Sequence, residues 1–161
     1  ELPEFTDYAM KGRTYRYMEQ EALFPFGYGL SYTDFEISNV KLSADVVTKE
    51  GIRVEADISN VGEYDSAQTL QVYVSTKDAP KVQLKGLKKV AVKKNETKHV
   101  EITLTDKAFA LYNEDGEMVL TKGSCKVYVG SSQPDARSRK LTGNNPVEFE
   151  VKIPENRIIT E

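Results

Sequence analysis

Seven stretches of this chain carry strand patterns, and a side-chain period of two admits β-strands and little else. Phe35 and Ile37 alternate with Glu36 and Ser38, and the phase then slips before Val40, as a bulge would make it. Ile52, Val54, Ala56 and Ile58 alternate with Arg53, Glu55, Asp57 and Ser59, and Asn60-Val61-Gly62 closes that strand. Leu70, Val72 and Val74 alternate with Gln71, Tyr73 and Ser75. Leu84, Leu87, Val90 and Val92 mark a strand broken at Gly86, with a hairpin turn at Lys93–Glu96. Val100, Ile102 and Leu104 follow, then Cys125, Val127 and Val129, then Val147, Phe149, Val151 and Ile153, each set interleaved with polar residues. Residues 106–112 read as one helical turn or a short strand, and Asn113–Gly116 as a turn. Short strands with frequent turn residues predict an all-β fold, an antiparallel sandwich of two facing sheets built from about seven strands.

A different kind of segment precedes the strands. Phe24-Pro25-Phe26-Gly27-Tyr28-Gly29-Leu30-Ser31-Tyr32-Thr33 holds four aromatics, two glycines and a proline. Pro25 lacks an amide donor and the glycines allow backbone angles closed to other residues, so a regular helix is excluded. Four rings on so short a run need a cover, because large exposed apolar patches mark contact surfaces. The run therefore reads as an extended arm lying against another body, with Phe24, Phe26, Tyr28, Leu30 and Tyr32 as docking residues. Arg13–Tyr17 alternates and reads as a short strand. The expected organisation is a linker or arm over residues 1–33, the sandwich over 34–154 and a tail over 155–161.

A length of 161 residues suits one domain able to bury most of its unfolded surface. A net charge of -3 argues against nucleic acid as a partner, since such proteins need a basic face. No apolar run is long enough to span a membrane. No secretory signal stands at Glu1, and Cys125, the single cysteine, reads as a small buried hydrophobe; cytoplasmic and exported settings are both compatible.

Several motifs, in order, resemble the C-terminal region of glycoside hydrolase family 3 enzymes, the β-glucosidases and β-xylosidases. They are Gly12-Arg13-Thr14-Tyr15-Arg16-Tyr17, Phe24-Pro25-Phe26-Gly27-Tyr28-Gly29-Leu30-Ser31-Tyr32, Ser59-Asn60-Val61-Gly62, Leu70-Gln71-Val72-Tyr73-Val74-Ser75, Leu84-Lys85-Gly86-Leu87-Lys88-Lys89-Val90 and Tyr128-Val129-Gly130-Ser131-Ser132. The resemblance covers residues 2 to 153. It implies that the sandwich is of the fibronectin type III-like kind, and that residues 1–33 combine the tail of an α/β-sandwich domain with the linker to it. The family's catalytic nucleophile is an aspartate in a Ser-Asp-Trp-like motif on a (β/α)8 barrel. This chain has no Trp and no such motif, and a barrel alone needs about 250 residues. The resemblance thus implies a non-catalytic accessory domain, without catalytic residues, metal or cofactor. Its partners would be the catalytic domains of the same parent polypeptide, a hydrolase of β-glucosides or β-xylosides.

The residues themselves offer little competing chemistry. His99, the only histidine, falls on an outward strand phase, and so do the carboxylate pairs Glu55/Asp57 and Glu148/Glu150, where a glycosidase would need two carboxylates flanking a cleft. Asp106 and Asp115-Gly116-Glu117 lack the ligand spacing of a calcium loop. Asn95-Glu96-Thr97 is a glycosylation sequon, and the lysines of 81–98 form a basic cluster that blunts a sheet edge. Tyr73 and Tyr128 lie on outward phases of strands that neighbour each other in a fibronectin-like fold. Three readings of that pair stand: a face that receives the arm or the catalytic domains, a cross-strand packing pair, or a platform for carbohydrate. A carbohydrate-binding module and a free-standing adhesion module are therefore the alternatives to an accessory role. The orphaned arm adds self-association as a further possible contact.

Overall fold

The computed structural model describes residues 4–10, 12–79 and 81–159. In chain order these form α1 (Thr14–Tyr17), β1 (Phe35–Leu42), β2 (Ile52–Asn60), β3 (Ser66–Ser75), β4 (Gln83–Val92) and β5 (Thr97–Leu104). A 3₁₀ turn at Asp106–Phe109 follows, then β6 (Leu111–Tyr112), β7 (Met118–Leu120), β8 (Gly123–Gly130), α2 (Ala136–Thr142), β9 (Val147–Ile153) and β10 (Arg157–Ile159). One sheet has the order β1-β2-β5 and the second β4-β3-β8-β9, with every pairing in them antiparallel. Their inner faces meet in one core: Ile52, Val54, Ala56, Ile58, Val100 and Leu104 from the first, and Leu70, Val72, Val74, Val127, Val129 and Val151 from the second. This is the all-β sandwich that the alternating pattern predicts.

The phase slip in the first strand is a bulge. The β1–β2 register shifts between Ser38 and Lys41, and Asn39 takes a positive φ of 52° there. The break expected at Gly86 is instead a continuous β4. Val72 pairs with Gly86 and Tyr73 with Leu84, so Lys85 is the extra residue of a bulge. A Cβ on Gly86 would stand 2.8 Å from Ile102 Cγ2 and 3.1 Å from Leu104 Cδ2. The glycine is there because the two sheets approach closely at that point. The turn at Lys93–Glu96 leads from β4 to β5, which belong to different sheets, so it is a corner between the layers and not a hairpin. Asn95 accommodates it with a φ of 60°.

Three short elements differ from the expectation. Thr14–Tyr17 is a single helical turn and not a strand, entered through a positive φ of 54° at Thr14. Residues 106–112 supply both the 3₁₀ turn and β6, which with β7 and β10 makes a small third sheet. Residues 157–159, expected in a tail, pair with β7, and Arg157 donates to Asp106 Oδ2 at 2.7 Å. The free edge of β9 is covered by residues 45–47: Val47 N donates to Lys152 O at 2.9 Å, and Lys152 N to Asp45 O at 2.8 Å. Such cover blocks edge-to-edge aggregation. Finally α2 starts at an Asp135 cap, which accepts from Ser138 N at 2.6 Å, and ends on Gly143 with a φ of 70°.

Candidate functional site

Residues 23–27 are held on the outer side of the β4-β3-β8-β9 sheet through their backbone carbonyls, and the arm then runs to Thr33 at the end of β2. Arg137 of α2 donates from Nε and Nη2 to Leu23 O, at 3.2 Å each. Tyr28 N donates to Pro25 O at 3.1 Å, which closes a turn over Phe26 and Gly27. Gln133 N donates to Phe26 O at 3.3 Å. At the centre is Gln71 of β3. Its Nε2 donates to Gly27 O at 2.9 Å and to Ser131 O at 2.7 Å, while its Oε1 accepts from the Tyr73 hydroxyl at 2.6 Å. Gly27 has a φ of 77°, and a Cβ there would overlap both Gln71 Oε1 and Tyr73 Oη. The arm thus crosses β3 at a residue without a side chain.

A second attachment closes the arm. Thr33 Oγ1 donates to Asn60 Oδ1 at 2.8 Å, and Oδ1 also accepts from Gly62 N at 3.1 Å. Asn60 Nδ2 donates to Tyr64 O at 2.8 Å and Val92 O at 3.1 Å. Both Thr33 and Asn60 are buried, and the asparagine amide is fully satisfied. Gly62 lies so close to Thr33 and Asp34 that a Cβ would overlap Thr33 Oγ1 and Asp34 N.

With its backbone held this way, the arm turns its large side chains outward. Phe24 is 62%, Phe26 49%, Leu30 87% and Tyr32 96% exposed. Tyr28 is half-buried and stacks on Phe24, ring centroids 5.8 Å apart at 11°. Pro25 is the buried apolar residue of the arm.

Tyr73 and Tyr128 are direct register partners across β3 and β8. They do not form an open pair. Tyr73 is 1% exposed yet lies outside the core cluster, because the arm covers it from the outer side. It offers no face to a sugar. Tyr128 is half-buried and faces Glu148 on β9, whose carboxylate pairs with Lys126 at 2.6 Å. Burial, reinforced by the Asp135 carboxylate, pushes the Tyr73 phenol up to about 12 from its ordinary value of 10.0. A folded value above the unfolded one means that this group's contribution to stability is complete below pH 10 and is lost as pH rises through 12. An absorbance titration should show one tyrosine ionising near pH 12, together with arm release, and Tyr73→Phe should abolish that late step.

His99, Glu55 and part of the lysine cluster make surface pairs. His99 Nδ1 lies 2.8 Å from Asp57 Oδ1, and Asn39 Nδ2 donates to Asp57 Oδ2 at 2.8 Å. The hydrogen bond to Asp57 raises the His99 pKa, and the bonds from Asn39 and then His99 lower that of Asp57. Glu55 pairs with Arg53 at 2.8 Å. In the lysine cluster, Lys94 pairs with Glu63 at 2.5 Å, Lys98 with Glu96 at 3.7 Å, and Lys81 Nζ donates to Met18 O at 2.8 Å. Cys125 is buried, its thiol pushed up to about 11 by desolvation.

Gln71, Arg137, Thr33 and Asn60 were not singled out from the sequence. One signal for Asn60 was present, since Asn before a Gly-containing turn often bonds its own backbone. Gln71 gave none, because its cover comes from residues 44 positions away.

The two facing sheets with this strand order define a fibronectin type III-like sandwich, and residues 68–133 match the family model of the fibronectin type III-like domain. The chain is such a domain, with its linker, of the kind carried by glycoside hydrolase family 3 β-glucosidases and β-xylosidases. It is 35% identical over 147 residues to a xylan 1,4-β-xylosidase of Xylanibacter ruminicola, covering 88% of this chain and 17% of that protein. It is 40% identical over 119 residues to an exo-α-(1→6)-L-arabinopyranosidase of Bifidobacterium breve, covering 69% of this chain and 15% of that protein. Among solved structures, a β-glucosidase of Listeria innocua in complex with glucose superposes with a TM-score of 0.69 at 31% identity, over 90% of this chain and 20% of that one. The chain therefore spans less than a fifth of the curated relatives named here.

Proposed function

We propose that this chain is the non-catalytic accessory domain of a family 3 glycoside hydrolase, and that it docks through its arm on the catalytic domains of the same polypeptide and stabilises them. One observation carries the reading. The arm is pinned to the sandwich through the carbonyls of Leu23, Phe26 and Gly27 and the hydroxyl of Thr33, while Phe24, Phe26, Leu30 and Tyr32 stand exposed. A fixed scaffold that displays apolar side chains to one side has the anatomy of an interface core. The named relatives act on xylosides and arabinosides, and the solved structure binds glucose, although all share this domain. That supports a structural role for the domain, with the choice of sugar made elsewhere. A sugar platform at Tyr73 and Tyr128 has no support, since Tyr73 is covered.

Burying a large apolar side chain stabilises by about 1.5–3 kcal/mol. The triple variant Phe26→Ala, Leu30→Ala, Tyr32→Ala is therefore expected to lower the melting temperature of the full-length hydrolase by several degrees. The isolated chain, where Leu30 and Tyr32 already face water and Phe26 does so across about half its surface, should lose far less. An unchanged full-length enzyme would sink the proposal. Calorimetry on both proteins makes the comparison.

A further inference from the structure

We infer that the docking surface does not end with the arm: the turn between β2 and β3 supplies its second half, through Val61 and Tyr64, and its occupant is the catalytic body of the same polypeptide. This rests on the docking reading above and extends it to residues of the sandwich itself.

Val61 is 57% and Tyr64 64% exposed, beside Leu30 and Tyr32 at 87% and 96%. The backbone that carries them is joined: residues 31–34 of the arm's end are bonded directly to residues 61–66 of the turn. Val61 N donates to Asp34 O at 2.9 Å, Tyr64 N to Thr33 Oγ1 at 3.4 Å, and the Ser31 and Ser66 hydroxyls lie 3.5 Å apart. The Thr33–Asn60 bond lies beneath them, and Gly62 fits only because it has no side chain. The turn and the end of the arm are therefore one rigid unit. Rigid presentation lowers the entropy cost of association, so such a unit is suited to being covered.

The chemistry of the occupant follows from the charges. Glu63 and Asp65 flank the patch but are turned to the corner between β4 and β5: Glu63 pairs with Lys94 at 2.5 Å, and Asp65 Oδ1 accepts from Lys94 N at 2.8 Å. The patch thus presents two aliphatic side chains and two phenols. A counter-surface for it is apolar, with acceptors for the tyrosine hydroxyls, and carries no large charge. The choice of the same polypeptide over a second copy rests on continuity with the arm surface and on length. The relatives that share this domain devote over four-fifths of their chains to other structure, the match covering 17% and 15% of them.

The test places Val61→Ser and Tyr64→Ser together in the full-length hydrolase, beside the arm variant Phe26→Ala, Leu30→Ala, Tyr32→Ala. A loss of several degrees in the full-length melting temperature, with the isolated chain unmoved, is the expected result. If the arm variant destabilises the full-length enzyme and the turn variant does not, this inference is overturned and the docking reading stands. If neither does, both fall. Should the turn variant weaken the isolated chain as well, a photo-cross-linking residue at position 64 decides. Cross-links into the catalytic portion of the same chain support the inference, and cross-links only between copies, or none, overturn it.

Discussion

Replacing Asn60 with leucine is expected to cost the isolated chain about 4 kcal/mol, a large part of the stability of an ordinary domain. Leucine has the same number and branching of side-chain heavy atoms as asparagine, so no cavity is opened and the main loss is of hydrogen bonds. Four partners are left behind: the Thr33 hydroxyl, Gly62 N, Tyr64 O and Val92 O. A buried polar group without a partner costs about 1–3 kcal/mol, and water can reach the two on the turn more easily than Val92 O. The variant is also expected to loosen the arm, since Thr33 loses its acceptor. Urea unfolding followed by far-ultraviolet dichroism measures the cost; a change below about 1 kcal/mol would show that the network is not a stabilising centre. Asn60→Asp separates charge from geometry. It keeps the acceptor toward Thr33 and Gly62 but sets an oxygen against the Tyr64 and Val92 carbonyls. Burial and those carbonyls raise the carboxyl pKa in the folded state. A raised folded value gives stability below the unfolded carboxylate pKa that is lost as pH rises. The aspartate variant should therefore approach the parent chain in acid and fall away toward neutrality.

Asn60 also shows how far the residues alone could be read. The seven strands were legible because one face of each is buried, and burial forces a period of two. The slip before Val40 announced the bulge at Asn39 for the same reason. What the pattern could not show were elements too short to have a period: β6 with two residues, β7 and β10 with three each. Helix α2 carried its own boundary signals, Asp135 before and Gly143 after, but over seven residues no apolar stripe forms. Gly86 marked a close approach of two sheets, which in sequence looks the same as a break. The arm was legible as a non-helical aromatic segment. Its orientation was not, because the backbone contacts of Gly27 and Phe26 are made to Gln71 and Gln133, far away in the chain, and have no local signature.

Replacing Gly27 with alanine is expected to release the arm while leaving the sandwich folded. The residue sits at a φ of 77°, where an L side chain costs about 1–2 kcal/mol. The new Cβ would also overlap Gln71 Oε1 and Tyr73 Oη. Those atoms cannot swing away cheaply. They are bonded to each other at 2.6 Å, and the same glutamine holds Ser131 O. Moving Gln71 would break the loop contact as well as the arm contact, so the arm yields instead, at a cost to docking of about 3 kcal/mol. The core is spared because Tyr73 lies outside its cluster. Three observations should follow together in the isolated chain. A protease should cut within Phe24–Tyr32, where the parent resists. The Tyr73 phenol should ionise closer to its ordinary 10.0 than to 12, because its cover is gone. The urea midpoint of the sandwich should move far less than in Asn60→Leu, whose partners lie in the turn before β3 and at the end of β4. In the full-length hydrolase, Gly27→Ala should then lower the melting temperature as the triple arm variant does. On the docking proposal, the exposed arm side chains would still be present but no longer held in place. If the full-length enzyme tolerates Gly27→Ala and not the triple variant, the partner fixes the arm by itself and the clasp on β3 is a feature of the free domain alone.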